Sequence, residues 1–185
     1  MGAINMEISL AVYKFSVNIK RRNQLINLTQ QIREKTVFET IGSYLSQETL
    51  YDEAANSQNQ IIPNNKSITF KEWHSGDLAS ETYSNIVTLN KRAYYQYLYL
   101  TVEGGETGQA ADVRERNKDH SVDTLFSITP AQILARRHQI FIAMPCDINV
   151  YAGIIIFTNY GRHGIKTLFT DIFKKAINMA TLSIG

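Results

Sequence analysis

The stretch from Gln139 to Ile177 constrains the fold more than any other part of the chain. It holds two apolar, β-branched runs, Gln139-Ile-Phe-Ile-Ala-Met-Pro145 and Tyr151-Ala-Gly-Ile-Ile-Ile-Phe-Thr-Asn-Tyr-Gly161, separated only by residues 146 to 150. Such runs, bounded by turn residues, predict two adjacent strands joined by a short loop. Ile154 to Phe157 shows no alternation, which predicts an interior strand buried on both faces. A glycine-flanked turn comes next. Then Leu168, Phe169, Ile172, Phe173, Ala176 and Ile177 recur at helical spacing and form one apolar stripe.

The flanking sequence supplies more strands than helices. Ile8, Leu10 and Val12 alternate, and Phe15, Val17 and Ile19 alternate one residue out of phase. That slip predicts one long strand bulged near Tyr13 and Lys14. Asn23 can cap a helix carrying Leu25, Leu28 and Ile32, and Phe38, Ile41 and Leu45 suit a second helix after Lys35 and Thr36. Residues 51 to 66 are polar and rich in turn formers. Ser67 to Trp73 reads as a strand with Ile68, Phe70 and Glu72 on one face, and Ala93 to Val102 as another. Residues 104 to 123 open with Gly104, Gly105 and Gly108 and carry few apolar anchors, which predicts a mobile insertion. Pro130 suits the first turn of a helix running to Arg137. The fold class is therefore α+β: a mixed or largely antiparallel sheet of about five to seven strands with helices packed on one face. At 185 residues this makes one domain, complete or part of a larger protein.

Composition excludes several functional classes. Hydrophobic residues are 44% of the chain, with ten Tyr and eight Phe, enough for a sizeable core. The net charge of +2 is too small to draw nucleic acid by bulk electrostatics, so any basic site must be local. A single cysteine, Cys146, rules out a disulfide framework and suits a reducing, cytoplasmic setting. No run approaches the ~20 apolar residues of a membrane span. The four histidines are scattered without metal-ligand spacing, and no motif calls for a cofactor.

Local basic segments carry the functional expectation. Gly161-Arg-His-Gly-Ile-Lys-Thr167 lies between a strand and a helix. Free amides at a helix start favour anions, and Arg162, His163, Gly164, Lys166 and Thr167 could complete an anion pocket. A nucleotide-binding P-loop is not spelled here, because its two glycines have four residues between them and Gly161 and Gly164 only two. Lys20, Arg21, Arg22, Arg136 and Arg137 lie at predicted element ends and would extend a phosphate-binding edge if they converged. Tyr95, Tyr97 and Tyr99 alternate onto one face, where rings can stack on bases or simply fill space.

The strand, Tyr160-Gly-Arg-His-Gly-Ile-Lys-Thr-Leu-Phe169 and the helix after it resemble a segment of uncharacterised bacterial proteins associated with phage-exclusion or abortive-infection loci. The resemblance covers Gln139 to Ile177, is most specific at Gly164-Ile165-Lys166-Thr167, and implies a phage-conflict setting with no catalytic residues to carry over. The expected function is a nucleic-acid, phosphate-backbone binding module. The competing reading is an interaction module docking a second protein or another copy of itself through exposed strands and the apolar Met179-to-Gly185 terminus. A weaker one is a metal-dependent nuclease using Asp112, Glu115, Asp119 and Asp123, and Cys146 is a remote candidate nucleophile.

Overall fold

A computed structural model describes residues 8–19, 24–51, 66–78, 95–106, 111–116, 122–128, 134–147, 149–160 and 165–182. Five long strands make the main sheet: β1 (Ile8–Phe15), β6 (Lys66–Leu78), β7 (Tyr95–Glu106), β10 (Leu134–Pro145) and β11 (Gly153–Tyr160). Their order is β1-β11-β10-β7-β6, and every neighbouring pair is antiparallel. Three small ribbons stand beside it. They are β2 (Asn18–Ile19) with β3 (Gln24–Leu25), β4 (Gln31–Ile32) with β5 (Lys35–Thr36), and β8 (Ala111–Arg116) with β9 (Val122–Ile128). The helices are α1 (Val37–Leu45), a helical segment at residues 48–51 (α2) and α3 (Lys166–Leu182).

One face of the sheet makes the core. Leu98, Leu100, Val102, Ile140, Ile142, Met144, Ile155 and Phe157 point to that face and are buried. The α3 stripe of Leu168, Phe169, Ile172, Phe173 and Ala176 covers them, and Phe169 meets Phe157 edge-on with ring centroids 5.7 Å apart. Phe169 is fully buried, and truncating such a ring to alanine costs about 3–5 kcal/mol. α1 packs beside α3 with Val37, Phe38, Ile41 and Leu45 inward. Its start is fixed by a capping box, in which Thr36 Oγ1 accepts from the Glu39 amide and Glu39 Oε2 accepts from the Thr36 amide. Near its end, the buried Tyr51 hydroxyl donates to the Leu45 carbonyl at 2.9 Å. Burial pushes the Tyr51 hydroxyl well above the usual tyrosine range.

The α+β class, the antiparallel sheet, the α1 and α3 stripes and the interior position of β11 are as the sequence predicts. Other elements differ, for physical reasons. Residues 24 to 36 supply the three short strands β3, β4 and β5 and not a helix, because their backbone bonds go to distant partners. The Leu28 amide donates to Val150 and the Ile26 amide to Val17. Arg33 sits at φ 59°, the left-handed region of a tight turn, which no helix interior allows. Asn27 anchors this segment: its Oδ1 accepts from the amides of Thr29 and Val150 and from the Thr29 hydroxyl.

Residues 134 to 137 belong to β10, where Arg137 lies opposite Glu103 and Arg136 opposite Gly104. The expected 130-to-137 helix is absent there, and residues 130 to 133 lie outside the described residues. Gly104 and Gly105 continue β7 and do not break it. A Cβ at Gly104 would collide with the Ile165 side chain, so this glycine seats the residue that leads into α3. Residues 111–116 and 122–128 pair as a ribbon that overlaps the expected 104-to-123 insertion and runs past its end. β1 pairs with β11 through Phe15 with no register shift, so the expected bulge at Tyr13 is not there. It occurs in β6, between Phe70 and Glu72. Ile154 is 39% exposed, so β11 is buried on one face and not on both.

Gly153 is a sharp test of this packing. A Cβ there would strike the Phe15 ring and stand 2.7 Å from the Ala143 carbonyl oxygen. Because one obstacle is backbone, Gly153→Ala is expected to cost about 1–3 kcal/mol. Urea unfolding of the two proteins measures it, and an unchanged midpoint would contradict the close packing of β1, β10 and β11.

Candidate docking surface

Strand alternation divides the sheet's side chains into two sets, and among the described residues no helix covers the second set. Across it, from β6 to β1, run His74, Tyr97 and Tyr99, Phe141, Ile154 and Ile156, then Ile8, Leu10 and Val12. Their shared face follows from the register: His74 is opposite Tyr99, Tyr99 opposite Phe141, Phe141 opposite Ile156, and Ile156 opposite Val12. The rings lie flat against one another. His74 stacks on Tyr99 at 6.3 Å and 24°, and Tyr97 on Phe141 at 5.6 Å and 18°.

The apolar character is strongest at β1, where Ile8, Leu10 and Val12 are 56%, 66% and 60% exposed. With Ile154 they form a contiguous patch on the order of a few hundred Å², the scale at which a surface patch marks an interaction site. β1 is also an edge strand, so one side of its backbone has no strand partner among the described residues. The opposite edge, β6, is different. It carries a bulge at Lys71 and the polar or charged residues Lys71, Glu72, His74 and Asp77, devices that discourage pairing with another chain. β1 has one charge, Lys14, and no proline or bulge.

The basic residues singled out from the sequence do not meet in one site among those described. Lys20, Arg21, Arg22, Arg162, His163 and Gly164 lie outside the described residues. Lys166 opens α3, and its ammonium sits 3.8 Å from the centre of the Tyr13 ring, a cation–π contact on the core side of β1. Thr167 is exposed beside it. Arg136 and Arg137 are exposed on β10, and Arg137 reaches Glu103 at 3.6 Å. Lys71 pairs with the same carboxylate at 3.0 Å. The Lys71 hydrogen bond, with help from Arg137, holds the Glu103 carboxyl below its usual range. Glu103 therefore stays ionised until pH falls through that lowered value, and only then releases both cations. Burial, followed by the charge of Asp77, pushes the Cys146 thiol up, which disfavours the thiolate a nucleophile needs. Among the described residues no three His, Cys, Asp or Glu side chains stand close enough to hold a metal ion.

The Lys166 contact gives a direct test. Lys166→Ala is expected to lower stability by about 0.5–1 kcal/mol. In a double-mutant cycle with Tyr13→Leu, the two losses should be non-additive. Additive or zero losses would mean that the ammonium is not committed to the ring.

Among the described residues no helix is long and apolar enough to cross a membrane. No protein-family model, no curated protein and no solved structure matches this chain.

Proposed function

We propose that this chain is an interaction module whose sheet is extended across β1 by a second copy of itself. The observation that carries the reading is the contrast between the two sheet edges: β6 is bulged and charged, whereas β1 is regular and apolar and has no further strand partner among the described residues. An edge strand of this kind is a template for an added strand. Antiparallel pairing about Ala11 makes β1 self-complementary, as a two-fold interface requires. Leu10 of one copy falls opposite Val12 of the other, and Lys14 opposite Ile8, so the strand's one charge never faces itself. The exposed apolar faces of the two sheets would then form one surface. A cytoplasmic setting, and the phage-exclusion context suggested by residues 139 to 177, are part of the proposal and rest on sequence alone.

Light scattering during gel filtration tests it. The wild type is expected to be dimeric at tens of micromolar. Val12→Lys, which places an ammonium in the apolar strip, should raise the dimer dissociation constant at least ~10-fold, with an unchanged circular dichroism spectrum. Glu72→Ala on the other edge should leave it unchanged. A wild type that stays monomeric at these concentrations would sink the proposal.

A second reading, a nucleic-acid strand laid across the same face, is favoured by one observation. The stacked rings of His74, Tyr99, Tyr97 and Phe141 share a face with Arg137 and Lys71. Here Glu103 holds both cations, so Glu103→Gln should tighten binding to single-stranded RNA or DNA and steepen its dependence on salt. If neither protein binds at low salt, this reading is removed.

A further inference from the structure

Pairing through β1 would double the sheet face that no described helix covers, and the register shows what that doubled face offers. Ala11, Phe157, Ile140, Leu100 and Trp73 form one row across the five strands. A two-fold axis through Ala11 divides the face along this row. On one side lie Val12, Ile156, Phe141 and Tyr97, with Lys14 at the end. On the other side lie Leu10, Thr158 and Gln139, then Arg137 and Glu103. The first half is apolar and aromatic, and the second is polar and charged. Val12, Leu10, Ile154 and Arg137 are exposed, and Tyr97, Phe141 and Ile156 are half-buried, so the face is accessible along most of its length.

Area decides which assembly can use it. The run from Ile8 to Lys14, at about 3.4 Å per residue, and five strands about 4.8 Å apart make a face of about 24 Å by 24 Å. Two single copies laid face to face would bury about 1,100 Å² in total, just under the ~1,200–2,000 Å² of stable interfaces, whereas two β1-paired dimers would bury about twice that. Symmetry decides what meets what. A two-fold axis in the plane of the sheet sets each half of the face against the other half of the opposing dimer. Near the axis Leu10 meets Val12 and Thr158 meets Ile156. Farther out the Arg137–Glu103 end lies toward the Tyr97 end, within the ~30° by which packed sheets are rotated. Lys14 falls toward Ile8. Like charges are kept apart, and the cations of one dimer are offered the rings of the other.

We propose that a second β1-paired dimer of this chain covers the face, giving a two-layer tetramer with α1 and α3 on both outer surfaces. This rests on the β1 pairing proposed above, and each can fail without ambiguity as to which.

Sedimentation equilibrium of the full chain, from tens of micromolar into the millimolar range, tests it. The wild type is expected to pass from dimer to tetramer. Phe141→Glu and Ile154→Glu put a carboxylate on the face, two strands and one strand away from β1. Each should raise the tetramer-to-dimer dissociation constant at least ~10-fold and leave the dimer intact. Ile154 is 39% exposed, so its variant decides the matter if Phe141→Glu misfolds. A wild type that stays dimeric into the millimolar range overturns the tetramer and leaves the β1 pair standing, whereas one that stays monomeric overturns both. Tetramers that form unchanged in both folded variants also overturn it, as do dimers that take up single-stranded DNA on this face and do not tetramerise without it.

Discussion

Among the described residues, the structure depends on burying a five-stranded sheet from one side. α3 lays Leu168, Phe169, Ile172 and Phe173 into the core, where Phe169 meets Phe157 of β11 and Phe173 meets Phe15 of β1, and α1 packs beside it. Ile165 presses onto Gly104 at the helix entry, and Lys166 reaches over Tyr13. Both contacts fix where α3 begins. The segment Gly164-Ile165-Lys166-Thr167, the most distinctive run in the chain, thus contributes two docking contacts between a helix and a sheet. The geometry does not need an anion to explain its isoleucine or its lysine.

One-sided burial has a consequence for the other face. An antiparallel sheet tolerates solvent on one side when that side is polar. Here its centre carries Tyr97, Tyr99, Phe141 and Ile156, and its β1 end Ile8, Leu10 and Val12. The hydrophobic effect acts on these residues as it does on the core, at about 25 cal/mol per Å² of apolar surface removed from water. A few hundred Å² then supplies several kcal/mol to whatever covers the face, before the cost of association. The open backbone of β1 adds direction, because ladder hydrogen bonds set strand register where apolar contact alone does not.

Much of this fold was legible in the sequence because the α3 stripe and the β10 and β11 runs are long and strongly patterned. The alternation of Tyr97 and Tyr99 against Leu98 and Leu100 was equally clear. Three kinds of signal were lost. Leu25, Leu28 and Ile32 mimic helical spacing, yet their segment is held by Asn27 and by backbone bonds to Val150, and contacts that distant leave no local trace. Gly104 and Gly105 look like a break, but Gly104 is the hollow that receives Ile165, 61 positions away. The alternation of Ile8, Leu10 and Val12 shows a strand without saying which face is inward. Tyr13 and Phe15 take the core side, packing on Phe157 and Phe173, and the three aliphatic residues are left outside.

The bulge in β6 decides which of its side chains face the helices and which face the open side. Before it, Ile68 and Phe70 face the helices, opposite Gly104 and Val102. Unbroken alternation would turn Glu72, His74 and Gly76 inward after them. The extra residue, Lys71, shifts the phase by one, so Trp73, Ser75 and Asp77 face α1 while His74 stacks on Tyr99 on the open side. Lys71 itself is thereby set beside Glu103, and the ion pair closes over the irregularity. A single inserted position therefore selects which side chains of β6 face α1 and which join the aromatic row. It also makes this edge less suited than β1 to pairing with another strand.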